Sequence, residues 1–251
     1  MERKVALVTG AAAGIGAASA VRLARDGFAV GVLDLDEARC AETEDKILGA
    51  GGVAMALGAD ISDPEQVAAA LAKLRAACGP IAVLVNNAGI PGFAPFLETK
   101  LEDWERLLRI NLTGTFVVTQ QVLPDMVAAS YGRIINISSS AGQTGAQNMA
   151  GYSASKGGMI ALTKTLALEF GPLGITSNVI PPRFITGTIM SDQSFASANQ
   201  PLSRDAAVQA GPLRREGKPG DIAGTGSWLS SGGSGVGTGP GIGVNGGRTI
   251  V

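Results

Sequence analysis

Val5-Ala6-Leu7-Val8-Thr9-Gly10-Ala11-Ala12-Ala13-Gly14-Ile15-Gly16 is the stretch on which the fold turns. Val5–Thr9 is an apolar run closed by one threonine, the pattern of a strand buried on both faces of a parallel sheet. Glycines then punctuate a turn, and a helix-period pattern follows over 15–26. Glycine lets such a turn adopt positive φ and lets backbone amides approach a pyrophosphate lying on the helix N-terminus. A tight strand–helix turn with no ligand would carry similar glycines. The context, strand before and helix after at the start of the chain, is the one a dinucleotide cradle requires. Gly10, Gly14, Ile15 and Gly16 are the candidate phosphate-binding residues.

Outward from this turn, strand-like runs at 5–9, 29–34, 53–57, 81–86, 133–138 and 175–180 alternate with helical patterns at 15–26, 37–49, 64–78, 103–129 and 152–170. This alternation predicts βαβ crossovers and an α/β fold, a doubly wound parallel sheet of Rossmann type with helices on both faces. Asp63 before Pro64, with Gln66 shortly after, marks a helix start. No repeat or linker divides the chain, so residues 1–251 read as one domain. Residues 186–212 are polar and bounded by Gly187 and Gly211-Pro212. A long connection of this kind reads as a substrate lid. Residues 232–247 are crowded with glycine and contain Pro240, which predicts a weak or irregular final strand.

The bulk properties agree and exclude several classes. The 251 residues are 45% hydrophobic, 16% charged and 4% aromatic, with 20 Lys+Arg against 21 Asp+Glu. This balance lacks the basic footprint of a nucleic-acid binder. No apolar run is long enough to span a bilayer, and Met1-Glu2-Arg3-Lys4 leads into a strand with no signal pattern, so a cytoplasmic protein is expected. The chain has no histidine. That removes Ser-His-Asp hydrolysis and histidine-ligated zinc, and no metal site is expected. Acid–base chemistry falls to Tyr, Lys, Asp, Glu or Cys.

The second strand-like run ends in Asp34, 18 residues past Gly16. A carboxylate there accepts hydrogen bonds from an adenosine ribose diol and repels a 2′-phosphate. Asp36 suits a helix N-cap better than Asp34 does. Arg39, the nearest cation, lies about a turn into the next helix, too far along the sequence to read as a phosphate clamp. NAD is therefore the expected cofactor and NADP the less favoured one. Tyr152 and Lys156, four residues apart at a helix start, share one face. Bringing a phenol from a pKa near 10 to near 7 needs about 4 kcal/mol. One ammonium about 4 Å away, at an effective dielectric near 20, supplies roughly that. The only other tyrosine is Tyr131, before a strand in Ser-Tyr-Gly.

Together, the Thr9–Gly16 turn, Asn86-Asn87-Ala88-Gly89 after the fourth strand, Asn111, a serine near 139 and Tyr152-Ser153-Ala154-Ser155-Lys156 resemble the short-chain dehydrogenase/reductase family over essentially the whole chain. The resemblance implies that Tyr152 exchanges the hydroxyl proton and that Lys156 lowers its pKa and holds the nicotinamide ribose. It implies that Ser139 binds the substrate oxygen, with Ser138 and Ser140 as neighbours of the same type. Asn111 would hold a water that extends the relay from Lys156. Asp60 and Ile61 would border the adenine, Asn87 and Gly89 would line the cofactor cleft, and Ile185 would meet the carboxamide through its backbone. The chain departs from the family at Pro182-Arg183-Phe184-Ile185-Thr186-Gly187-Thr188, where arginine replaces a glycine and Gly187 takes a threonine position. Thr186 and Thr188 are both candidates to substitute.

Ile90–Leu97, Gln143–Met149 and the lid would wall a substrate site that is small, apolar or amide-bearing, with Arg183 placed to meet an anion or to lie solvated in a turn. A small alcohol or ketone is the expected partner, with no nucleic acid or membrane. The resemblance further implies a homotetramer built on the helices at 103–129 and 152–170, where Ala154, Gly157, Gly158 and Ala161 would allow close approach. The leading expectation is an oxidoreductase acting on secondary alcohols with NAD(H), in the oxidative direction. The competing readings are a 3-oxoacyl thioester reductase using NADPH, a non-catalytic dinucleotide-binding sensor, and a methyltransferase, which has no need of the tyrosine–lysine pair.

Overall fold

The computed structural model describes residues 3–197, 199, 203–247 and 249. Residues 198 and 200–202 of the expected lid, and the extreme termini of the expected domain, lie outside that set. Six strands, β1 (Val5–Thr9), β2 (Ala29–Asp34), β3 (Val53–Gly58), β4 (Ile81–Asn86), β5 (Gly132–Ile137) and β6 (Ile175–Ile180), form one sheet. Their order is β3-β2-β1-β4-β5-β6, with every pairing parallel. The order reverses direction between β1 and β4, which opens a crevice at the carboxyl ends of those strands, where ligands bind in such sheets.

Successive side chains of a strand point to opposite faces, and both faces are dry here. Val5 and Leu7 pack with Val67, Leu71 and Leu74 of α3 (Pro64–Cys78) and with Val118, Val122 and Met126 of α5 (Gly114–Ala129). Ala6 and Val8 pack on the other side with Ala20 and Leu23 of α1 (Gly14–Arg25), Ile47 of α2 (Ala41–Gly49) and Ile222 and Leu229 of α10 (Pro219–Ser230). The remaining helices are α4 (Leu101–Leu108), α6 (Ser140–Thr144), α7 (Ala150–Phe170), α8 (Ile189–Ala196) and α9 (Arg204–Gln209). Asp63 caps α3 as expected, its carboxylate accepting from Glu65 N–H and Gln66 N–H.

The structure departs from the sequence-based expectation in its helices. The single helix expected over 103–129 is broken by a wider π-turn at Arg109–Thr113, between α4 and α5. Helices α6 and α10 were not anticipated, nor were α8 and α9 inside the expected lid. α6 is five residues long and α10 is rich in Gly and Ser, so neither carries a strong apolar period. As expected, the final strand is weak, reduced to one bridge, Val179 with Gly241, plus hydrogen bonds such as Gly239 N to Ser177 O (2.8 Å) and Ile242 N to Val179 O (2.9 Å). Glycines there contribute no packing surface and Pro240 no donor, so a regular ladder does not form. No helix among the described residues is long and apolar enough to cross a membrane.

Candidate active site

The Gly-rich turn lies where β1 meets α1. Gly14 takes φ 58°, a left-handed conformation that costs glycine little. A Cβ on buried Gly16 would drive into the Gly10 carbonyl and lie 2.6 Å from Asn87 Nδ2. The turn is also stitched from behind. Asn87 Nδ2 donates to Thr9 O (3.0 Å) and Gly10 O (3.1 Å), and Thr9 Oγ1 accepts from Asn87 N–H and Ala88 N–H. Asn87 is thus a brace for the cradle as well as a lining residue. Thr9 does equal structural service, for which its place in the turn was the only sequence signal.

Asp34 ends β2 beside this turn, its carboxylate accepting from Ala12 N–H (3.2 Å) and Leu35 N–H (2.9 Å). Asp36 caps the following 3₁₀ turn, Glu37–Cys40, as expected. The turn is tighter than the regular helix read from the sequence, and it brings Arg39 NH1 to 3.4 Å from Asp34 Oδ1. A cation does therefore stand at the expected ribose position, and Asp34 holds it. Gly58 of β3 lies in register with Asp34, so the chain runs on through Asp60 and Ile61 at the same end of the sheet. The Asp60 carboxylate accepts from Ser62 N–H and Oγ–H (both 2.8 Å), and the Ile61 side chain is buried against Gly114. What this segment can offer an adenine is therefore mainly backbone.

The tyrosine and lysine meet under the carboxyl ends of β4 and β5. Both are buried on α7, with Lys156 Nζ 5.9 Å from the Tyr152 ring centroid. Lys156 Nζ donates to Ile137 O at 2.8 Å. Gly89 faces the same spot, since a Cβ there would lie 3.0 Å from Asn111 Oδ1 and 3.5 Å from Lys156 Nζ. Among the three serines, Ser138 Oγ donates to the Lys156 carbonyl (2.8 Å) and Ser140 N–H donates to Pro182 O (3.0 Å). Ser139 both caps α6 through Ala141 N–H and interacts with the Tyr152 phenol. Asn111, fully buried in the π-turn, accepts from Ile90 N–H (2.8 Å) and donates to Ile90 O (3.0 Å) and Ser155 Oγ (3.2 Å). Its amide is spent on protein groups, and its main-chain carbonyl accepts from Thr115 Oγ1 (3.0 Å). Such π-turns recur at functional sites. Tyr131 is elsewhere, with Lys4 and Arg133 3.6 Å and 4.3 Å from its ring centroid.

The electrostatics correct the expectation that the ammonium alone makes the phenol acidic. Burial pushes Tyr152 above its ordinary value, with the Ser139 hydroxyl opposing. Desolvation penalises the phenolate before any attraction helps it. The same burial draws Lys156 down from 10.5 to about 8. Between those values the unfolded chain holds this proton more tightly than the folded one, so folding stability rises with pH across that window. Wild type is expected to gain about 2 kcal/mol on a Lys156→Met variant between about pH 7.5 and about pH 9.5, measured by urea unfolding of the cofactor-free protein. A constant difference would show that the ammonium is not desolvated.

Ile185 is buried and bridges Gly217, which ties the segment after β6 to the chain before α10. Of the two threonines, Thr186 Oγ1 is turned to Glu216 (3.0 Å). Thr188 donates to Ile185 O (3.3 Å), and its Cγ2 would lie 3.1 Å from a Cβ on Gly14. Thr188 is therefore the one facing the cradle. Ile15, Asn87, Ser139, Tyr152, Lys156, Ile185 and Thr188 border one cavity of about 530 Å³. Pro91, Phe93, Thr144–Gln147, Met149, Met190 and Phe195 are also in its wall, in keeping with the segments expected from the sequence. Met190 of α8 lies over the phenol, with Tyr152 Oη 3.9 Å from its sulfur.

A doubly wound sheet with a glycine cradle after β1, opening on a buried tyrosine–lysine pair, defines a Rossmann-type oxidoreductase. The pattern of the family described as short chain dehydrogenase matches residues 4–199. The chain belongs to the short-chain dehydrogenase family. It is 33% identical over 251 residues to 2-(S)-hydroxypropyl-CoM dehydrogenase 3 of Xanthobacter autotrophicus, covering 100% of this chain and 98% of that protein. It is 36% identical over 250 residues to a 3-oxoacyl-(acyl-carrier-protein) reductase of Thermotoga maritima, covering 100% and 99%. Among solved structures, levodione reductase superposes with a TM-score of 0.93 at 30% identity, covering 99% of this chain and 98% of that one.

Proposed function

We propose that this protein transfers a hydride between NAD(H) and a secondary alcohol or ketone, with Tyr152 as the acid/base. The observation that carries this reading is the shared cavity, in which Ile15 and Asn87 from the nucleotide end and Ser139, Tyr152 and Lys156 border the same space. A relative named for a 2-hydroxypropyl group, a secondary alcohol, supports it.

The residues present fit a dinucleotide. Gly10, Gly14 and Gly16 let the turn pack tightly at the N-terminus of α1, and the Asp34 carboxylate lies beside Ala12 N–H at the end of β2. Ile15, Asn87, Gly89, Ile185 and Thr188 would line the path inward, with the backbone around Asp60 and Ile61 at the adenine end. Bound nicotinamide supplies the hydride donor or acceptor, and its oxidised ring adds positive charge beside the phenol. Tyr152 Oη gives a proton to the ketone oxygen in reduction and accepts one from the alcohol in oxidation. Ser139 Oγ steadies that oxygen. Lys156 Nζ donates toward the ribose and favours the phenolate, and in this proposal a water near Asn111 extends the relay from the lysine. The test is a panel of secondary alcohols and ketones followed by NADH absorbance, where no turnover of any member sinks the reading.

NAD is preferred over NADP in this proposal because Asp34 places a negative charge where a 2′-phosphate would lie and keeps Arg39 engaged. Asp34→Ala is expected to remove the repulsion and release Arg39 together. The NADPH-to-NADH ratio of kcat/KM then rises about tenfold to a hundredfold, the scale of one charged hydrogen bond. An unchanged ratio would refute the ribose role.

A second reading, reduction of a 3-oxoacyl thioester with NADPH, is favoured by the full-length likeness to the Thermotoga reductase. It predicts faster turnover of acetoacetyl-CoA with NADPH than of simple ketones with NADH. Self-association into a tetramer is also part of the proposal. It is supported by Phe116 on α5 and Leu168 on α7, 46% and 80% exposed, with Ala161 and Ala154 exposed one and two heptads before Leu168. Gly157 and Gly158, half-buried, lie between these alanines on the same side of α7. An added Cβ on them would meet Gly142 O and the Leu112 side chain.

A further inference from the structure

The proposed hydride transfer leaves Arg183 without a task. The residue lies next to the point where the chain crosses the catalytic serine loop, since Ser140 N–H donates to Pro182 O at 3.0 Å. Arg183, Phe184 and Ala207 border the catalytic cavity and also a second chamber of about 290 Å³, so the two spaces adjoin across these three residues. The catalytic cavity's charged border among the described residues consists of Arg183 and Lys156, with no carboxylate. The outer chamber adds Arg214 and Arg215, and its two carboxylates are both engaged, Glu216 by Arg204 and Asp221 by Arg215. Phe184 and Arg214 both hold left-handed backbones, with φ of 58° and 47°. Non-glycine residues keep such conformations where the surroundings impose them, and these cluster at ligand clamps. Phe184 is further held edge-on against Phe195 of α8, with ring centroids 5.3 Å apart.

The geometry points to a substrate that is a secondary alcohol or ketone carrying an anionic group several bonds from the reacting carbon. The carbinol sits at Tyr152 and the anion is received by Arg183, with Arg214 beyond it in the outer chamber. A guanidinium fork matches a carboxylate or sulfonate in two parallel hydrogen bonds, which fixes the orientation of the tail and with it the face of the carbonyl presented. This assignment rests on the hydride-transfer reading.

The experiment compares 5-oxohexanoate, 5-oxohexane-1-sulfonate and the neutral 5-oxohexanamide as substrates with NADH, for wild type, Arg183→Gln, Arg183→Lys and Arg214→Gln. At least one anion is expected to exceed the amide in kcat/KM by about tenfold or more. The carboxylate-to-sulfonate ratio identifies which anion the site takes. In Arg183→Gln that advantage collapses toward unity, chiefly through KM, and Arg183→Lys restores part of it. Arg214→Gln, altered on an exposed turn, lowers the advantage without disturbing packing at Arg183. Turnover of the amide with no anionic advantage in wild type, or an advantage unaltered in both glutamine variants, overturns the anion site and leaves hydride transfer standing. No turnover of any of the three ketones with NADH or NADPH overturns both.

Discussion

Tyr152→Phe is expected to lower kcat by about a thousandfold or more, at the upper end of what a positioned acid–base group contributes. It is expected to leave NADH binding within about threefold of wild type, since the exchange removes one oxygen from a ring that stays buried on α7. No histidine exists to take over, and among the described residues Tyr152 is the only tyrosine bordering the cavity. The pH dependence has a definite sign. Burial holds the phenol above its ordinary value, so in the protein alone it is protonated at neutral pH, the form that reduction requires. Reduction should be level through neutrality, whereas oxidation, which needs the phenolate, should climb on the alkaline side. Steady-state kinetics in both directions and NADH fluorescence titration measure these effects. Activity retained in the variant would remove Tyr152 from the chemistry.

Gly16→Ala is expected to have the largest effect on the cradle. The added methyl would drive into the Gly10 carbonyl and approach Asn87 Nδ2. Neither can yield cheaply, because Asn87 Nδ2 is bonded to both Thr9 O and Gly10 O, and Thr9 Oγ1 is bonded to the backbone of Asn87 and Ala88. Relief must come from moving the turn away from α1, which spoils the amide array that a pyrophosphate needs. A loss of about 3 kcal/mol in stability, from overpacking against backbone, should accompany a loss of NADH affinity of about a hundredfold or more. Ala13→Ser, on the exposed crest of the same turn, is the control expected to change neither by much. Urea unfolding and fluorescence titration distinguish the outcomes, and normal NADH affinity in Gly16→Ala would separate this turn from nucleotide binding.

Much of the architecture was legible in the chain itself. All six strands were expected within a residue of where they lie, because parallel strands buried on both faces are largely apolar, even though β5 and β6 also bury Asn136 and Thr176–Asn178. The cradle glycines, the Asp63 cap and the Tyr152–Lys156 spacing are likewise local. They depend on φ angles, on one turn of helix or on a side chain reaching its own backbone, and none needs a distant partner. The weakness of the last strand could also be read locally, from Pro240 and the glycines around it.

What the sequence could not decide was set by contacts between segments far apart in the chain. Ser139 was separated from Ser138 and Ser140 only when the loop was pinned to Lys156 O and Pro182 O. Thr188 was distinguished from Thr186 when Glu216, 30 residues downstream, took the Thr186 hydroxyl. Arg39 reached Asp34 through a tight turn that no apolar period announces. The phenol's proton affinity depends on how much water the fold removes and where the ammonium is tied, and folding reversed the shift that charge spacing alone suggested. Local patterning determined the strands, helices and turns, because backbone sterics and side-chain period act over a few residues. Desolvation and the choice among like side chains were left to the tertiary structure, because they arise only when separate segments close on one another and exclude solvent.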